Sequence, residues 1–196
     1  MIELRNLLID LLIKFICAII VVCVHEYPKI FAYKLLVHPL YKKQTNISYN
    51  PMNYIDPFGI ITFMFMNVGW QKPFVFNNAR LKDKSKGLIA ISLSGILANL
   101  LLMTILIPIF YSTGGINPHL STFLIMLIYY NFGIVIVNLL PVPPLDMVRI
   151  VQSIKPHSYF KLIQYEKIIQ SIFILALAMG ILSNLVNILF KVFRII

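Results

Sequence analysis

The chain has 196 residues, of which 59% are hydrophobic and only 12% charged, and its mean hydropathy is strongly positive. So little polar surface cannot solvate a globule of this size, which excludes a water-soluble fold and predicts an all-α polytopic membrane protein. The formal net charge of +10 does not indicate nucleic acid, because the basic residues stand between apolar runs, where loops facing anionic lipid account for them.

The first apolar run predicts a helix from about Leu7 to Leu35. Its opening has the hydropathy of a signal peptide, but Asp10 and Lys14 interrupt it and no small-residue cleavage site follows, so a retained helix is expected. Asp10 and Lys14 are spaced to pair along one face, which lowers the cost of placing either charge in a membrane. Pro28 predicts a kink, tolerated in a membrane helix when neighbours satisfy the carbonyl it frees. Cys17 and Cys23 do not face each other on such a helix and imply neither a disulfide nor a zinc knuckle.

Within this helix, Cys23-Val24-His25-Glu26-Tyr27-Pro28-Lys29 sets a histidine and an acid side by side at membrane depth, where ionisable groups are costly and usually functional. A helix of the form H-E-x-x-H brings two imidazoles onto one face about a turn apart, so that both can bind one zinc ion. Here the residue at the second imidazole's position is Lys29.

A polar connection with Lys42, Lys43, Gln44, Asn46 and Ser48 follows, then the turn-forming stretch Asn50-Pro51-Met52-Asn53-Tyr54-Ile55-Asp56-Pro57. The apolar run from Ile60 to Val68 is far shorter than the roughly 20 residues of a spanning helix, so a re-entrant or short helical excursion is predicted. Trp70-Gln71-Lys72-Pro73 ends it, and Arg80, Lys82, Lys84 and Lys86 form a basic loop. Gly87 to Phe110 is long enough to span, and Ser92, Ser94-Gly95 and Asn99 within it permit close helix approach. The connection from Ser112 through Gly114, Gly115 and Ile116 to His119 carries no lysine or arginine. Ser121 to Leu140 spans back, Pro141-Val142-Pro143-Pro144 breaks the helix, and Leu145-Asp146 opens a shorter segment ending near Ile154. After a basic linker with Lys155, Lys161 and Lys167, a last apolar helix is predicted from Ile168 to Phe193. The chain reads as one membrane-embedded domain over 1–196, with a core over about 7–155 and a C-terminal helix over about 168–193, in four to five membrane segments.

The basic regions at Arg80 to Lys86 and Arg149 to Lys167 are expected on the cytoplasmic side, with 112–119 outside. If the excursion over 50–76 does not cross, the first helix runs from outside to inside and brings His25 and Glu26 to the depth of Asp146. The same count leaves Lys191 and Arg194 outside, against the rule.

Five motifs occur in order along the chain. They are the His25-Glu26 helix ending in Ala32-Tyr33-Lys34-Leu35, Asn50-Pro51 with Ile55-Asp56-Pro57-Phe58-Gly59, Gly69-Trp70-x-Lys72-Pro73, Ser94-Gly95-x-x-Ala98-Asn99-Leu100, and Asn138-Leu139-Leu140-Pro141-x-Pro143-Pro144-Leu145-Asp146. As an ordered set over roughly residues 15–155 they resemble the site-2 protease family of intramembrane zinc metalloproteases. The resemblance implies a three-helix core, here with a re-entrant segment and an extra C-terminal helix, and zinc-dependent cleavage of membrane-protein substrates. It matches His25 to the first zinc ligand, Glu26 to the general base, Asn99 to the asparagine of the second core helix and Asp146 to the carboxylate ligand.

This sequence departs from the family pattern at Lys29, at Met147 after Asp146, and at Ile96 after Gly95. A protonated lysine offers three donors and no lone pair, so it cannot ligate zinc. His25 and Asp146 alone make an incomplete site, since catalytic zinc takes three protein ligands. His38 lies on another face of the helix, and His119 and His157 lie in loops, so none is placed to compensate. A pseudoprotease is therefore expected, without zinc, binding transmembrane segments of partner proteins. The alternative is an active zinc metalloendopeptidase in which Glu26 deprotonates a zinc-bound water. Lys29 is expected either to replace the metal as a structural cation beside Glu26 and Asp146 or to snorkel to the interface without a partner. Asn99 and Asn138 are candidates to bind a substrate backbone, or else to bridge helices. Trp70, Tyr49, Tyr54, Tyr129 and Tyr130 read as interface or packing residues. The lipid bilayer, a multi-pass topology and a bacterial cell membrane complete the expectation.

Overall fold

The charges that interrupt the first apolar run do not break its helix. In the computed structural model, which describes residues 2–44, 47–113 and 117–192, α1 (Ile2–Leu36) continues through Asp10, Lys14 and Pro28. Asn46, Gly114, Gly115, Ile116, Phe193 and Arg194 lie outside the described residues.

Prolines mark helix starts here, because the first turn has no intrahelical acceptor for the N–H that proline lacks. Asp56 caps α2 (Pro57–Met66), its Oδ1 accepting from the N–H groups of Phe58 and Gly59 at 2.9 and 3.1 Å. After α3 (Lys84–Thr113), Asn117 caps α4 (Pro118–Asn138) by accepting from the His119 N–H at 2.9 Å. The Pro141 to Leu145 turn leads to α5 (Asp146–Ile154), followed by α6 (Pro156–Gln164), α7 (Glu166–Ala178) and α8 (Ile181–Val192). Among the described residues the only β-type pairing is an isolated bridge between Val37 and Leu81.

The chain is an all-α, multi-pass membrane protein. Helices α1, α3 and α4 are each long and apolar enough to cross a bilayer and pack on one another pairwise. Cys17, Val21, Ile91, Ile128 and Ile134 lie fully buried between them, while Leu12, Leu97 and Leu101 point outward as lipid-facing side chains do. The predicted last helix is bent: α7 and α8 meet at 67°, with Gly180 between them at φ +70°, so they add one broken span or a re-entrant loop. Helix α8 lies against the middle of α4, where the Tyr129 hydroxyl donates to Asn187 Oδ1 at 2.7 Å and Phe190 meets the rings of Tyr129 and Phe132. Lys191 therefore does not end a straight crossing, and the charge count no longer forces it outside.

The short run near Ile60 forms a helix that enters the bundle and an extended stretch, 67–77, that returns. A helix end inside a membrane must have its last carbonyls satisfied by protein. The Tyr130 hydroxyl donates to the Phe63 carbonyl at 2.6 Å, Lys14 Nζ to Met64 at 3.3 Å and Ser183 Oγ to Met66 at 2.7 Å. Lys14 thus serves the negative end of the α2 dipole and makes no ion pair with Asp10, which is exposed. The return stretch lies close on α2 because Gly69 has no side chain: a Cβ there would stand 2.5 Å from Phe63 Cδ2.

One end of the bundle gathers the basic segments. The His38 N–H donates to the Arg80 carbonyl at 2.8 Å, Lys82 N–H to Leu36 at 3.0 Å, and Ser153 Oγ to Ser85 at 2.9 Å. These contacts bring the C-terminal end of α1, the start of α3 and the end of α5 together, and the polar core of the molecule lies on the α1 segment leading to that end.

Candidate functional site

On α1, Lys29 lies three residues from Glu26 and four from His25, so it shares a face with both. That face points into the bundle: His25, Glu26, Lys29, Asn99, Asn131, Asn138 and Asp146 are all 0% exposed, and Gln71 is 1% exposed. Four elements meet there, α1, α3, α4 and the start of α5, with the return stretch 67–77 closing the side.

Lys29 does not snorkel. Its Nζ stands 2.7 Å from Glu26 Oε1 and 2.5 Å from Asp146 Oδ2, with all three side chains fully buried. The second oxygen of Glu26 accepts from the Phe74 main-chain N–H at 2.8 Å, and the Phe74 carbonyl accepts from Arg149 Nη2 at 2.6 Å. Both carboxylate oxygens of Glu26 are therefore engaged within the chain.

His25 joins the same cluster from the other side. Its Nε2 lies 2.8 Å from Asp146 Oδ2 and its Nδ1 2.7 Å from Asn99 Oδ1. The orientation of Asn99 follows from its neighbours, because its Nδ2 donates to the Val21 carbonyl at 3.2 Å and to Asn131 Oδ1 at 2.8 Å, while Asn131 Nδ2 donates to Leu127 at 2.7 Å. This chain of amides presents the oxygen of Asn99 to the ring. Both ring nitrogens thus face oxygens and are engaged within the chain.

Asn138 and Gln71 form a reciprocal amide pair at 2.8 and 3.0 Å, and Asn138 also bonds the Ile134 carbonyl at 2.9 Å and accepts from the Asp146 N–H at 3.4 Å. It thereby ties the return stretch to the first turn of α5. Asp146 is held by the Lys29 ammonium and by His25, both on its Oδ2.

The sequence reading did not name Gln71, Asn131, Phe74 or Arg149 as parts of this centre. Asn131 had a readable signal, lying seven residues, about two turns, before Asn138 on one apolar helix. Phe74 contributes a main-chain group, which no side-chain pattern announces. His38, His119 and His157 are all exposed and away from the cluster.

The residues at this centre do not fit a zinc ion. Among the described residues no three His, Cys, Asp or Glu side chains stand together as a metal-binding group. Asp146 Oδ2 is held by a cation and by the imidazole, and the other ring nitrogen of His25 is taken up by Asn99 Oδ1. Asp146 Oδ1 is buried without a hydrogen-bond partner, and one oxygen is not a coordination set.

Two substitutions test the packing of the centre. A Cβ added to Gly95 on α3 would stand 2.5 Å from the His25 carbonyl oxygen and 2.6 Å from Lys29 Cε. Gly95→Ala is expected to cost about 1–3 kcal/mol, as overpacked cores do, read as a lower melting temperature in detergent. Gln71→Ala leaves the buried Asn138 amide short of a donor and an acceptor, and is expected to cost about 1–3 kcal/mol in the same measurement.

No family model and no solved structure matches the chain. It is 31% identical over 123 residues to a Bacillus subtilis (strain 168) protein named "Putative zinc metalloprotease YwhC", a match covering 59% of this chain and 56% of that protein. The chain thus spans about half the length of the curated relative it matches.

Proposed function

We propose that the chain is a site-2-protease-like membrane protein, one domain in a bacterial cell membrane, that holds transmembrane segments of partner proteins in an unwound form without cutting them. The observation that carries this reading is the Lys29 ammonium between Glu26 and Asp146. It stands where catalysis needs a second imidazole and a metal. A cavity of about 260 Å³ beside the centre, lined among others by Trp70, Gln71, Pro143, Leu145 and Phe173, offers room for an extended segment next to the Gln71–Asn138 pair. Asn99 and Asn138 would serve such a segment by exchanging their internal bonds to Val21, Asn131 and Gln71 for bonds to its backbone.

The test uses the protein in lipid nanodiscs with two fluorescent single-span peptides, one broken by Asn-Pro at its middle and one uniformly leucine-rich. Saturable binding of the first alone, with both recovered intact by mass spectrometry in the presence of zinc, is the expected result. Absence of saturable binding would overturn the scaffold reading. The name of the similar Bacillus subtilis protein favours a second reading, an active zinc metalloendopeptidase, and cleavage within the hydrophobic stretch would establish it in place of the first.

A further inference from the structure

His25, Glu26, Lys29 and Asp146 form a closed cluster with no solvent-exposed atom among them. Carboxylates at this depth need a partner, since unpaired charge in a membrane interior is strongly disfavoured. Lys29 supplies it for both, standing 2.7 Å from Glu26 and 2.5 Å from Asp146. The His25 ring adds a hydrogen bond to Asp146 Oδ2 at 2.8 Å and lies 2.7 Å from Asn99 Oδ1.

We infer that the Lys29 ammonium is a resident cation built into the chain in place of a metal ion, and that this one side chain is what keeps the centre from loading zinc. The inference deepens the scaffold reading and rests on the same site. Three features support it beyond the ion pairs. The four-carbon stem of Lys29 fits only because Gly95 leaves space against its Cε. The second oxygen of Glu26 is held by the Phe74 N–H, and the main chain that carries Asp146 by the Asn138 amide at the first turn of α5. A lysine also reaches both acids from the position where, one turn from His25, a histidine would complete a set of three ligands with Asp146.

Metal content and melting temperature, measured on detergent-purified full-length chain after exposure to zinc and to a chelator, test this without reference to peptide binding or cleavage. The wild-type chain is expected to carry less than 0.1 zinc per molecule, on the order of background for a site lacking three ligands, with a melting temperature that neither zinc nor chelator moves. Lys29→His is expected to take up about one zinc per chain and to melt higher with zinc than with chelator. Lys29→Met, which keeps the stem and removes the charge, is expected to melt about 10 °C lower than wild type. If that variant does not accumulate, Lys29→Met combined with Glu26→Gln, which removes one charge of each sign, is expected to recover folded protein. Stoichiometric zinc in the wild type, no uptake by Lys29→His, or a melting temperature of Lys29→Met equal to or above wild type would each overturn the inference. A chain that passes these measurements and binds no peptide would leave the resident cation standing and remove only the scaffold.

Discussion

Asp146→Ala is expected to lower the melting temperature of the purified protein by about 10 °C, the largest loss for any single side chain outside Lys29. Asp146 Oδ2 receives both Lys29 Nζ and His25 Nε2, so its removal leaves the buried ammonium with Glu26 alone and the His25 ring without its carboxylate partner. Breaking a buried pair by deleting one partner typically costs about 3–5 kcal/mol, because the surviving charge has neither partner nor water. A control lies on the surface of the same molecule. Asp83 and Lys86 stand 3.9 Å apart with both side chains largely exposed, and Lys86→Ala, which leaves the bond from the Lys86 N–H to Asp83 Oδ1 in place, should change the melting temperature little, since screened surface pairs contribute little.

Asn99→Leu is the second large effect, expected at about 2–4 kcal/mol from several buried polar groups left unpaired at once. The amide of Asn99 bonds His25 Nδ1, the Val21 carbonyl and Asn131 Oδ1, and leucine of similar volume replaces none of these. Asn131→Leu alone removes the far end of the same chain and is expected to cost less, because Asn99 keeps two of its three bonds. Residues acting in one network are not additive, so the double variant should lose clearly less than the sum of the two single variants. Melting curves of the four proteins measure that coupling. Additive losses would mean that Asn131 packs α4 without orienting Asn99, and that the His25 ring is held by Asn99 and Asp146 alone.

These expectations separate what could be read along the chain from what could not. Composition alone yields the membrane class, because no arrangement of so few charged residues solvates a globule of this size. Three of the long helices are legible from apolar length, and the short excursion near Ile60 from the absence of it. Asp56-Pro57 and Asn117-Pro118 announce helix starts through cap chemistry. The bend at Gly180 was not legible, since the apolar run continues across it and the turn depends on Asn187 and Phe190 of α8 finding Tyr129 and Phe132 of α4 as neighbours. Lys14 was read beside Asp10 by helical spacing, yet a carbonyl from the buried end of α2 is the closer partner. Helical spacing lists the groups that can meet on one face; it cannot weigh them against groups from another helix.

The same division runs through the centre of the molecule. The sequence by itself determined that His25 and Glu26 sit in a spanning helix, that a lysine stands at the position of a second imidazole, and that Asp146 follows a proline break, because these are properties of residue type and local order. Only the tertiary structure decided what Lys29 touches. Glu26 is one turn away along α1, but Asp146 is separated from Lys29 by most of the chain, and the 2.5 Å contact between them exists because α3 and α4 fold back so that the start of α5 lands against α1. Gly95, Asn131, Gln71 and the Phe74 main chain, which shape and hold that contact, come from three other segments. A buried charge is stabilised by whatever surrounds it in three dimensions, and that surrounding is a product of packing.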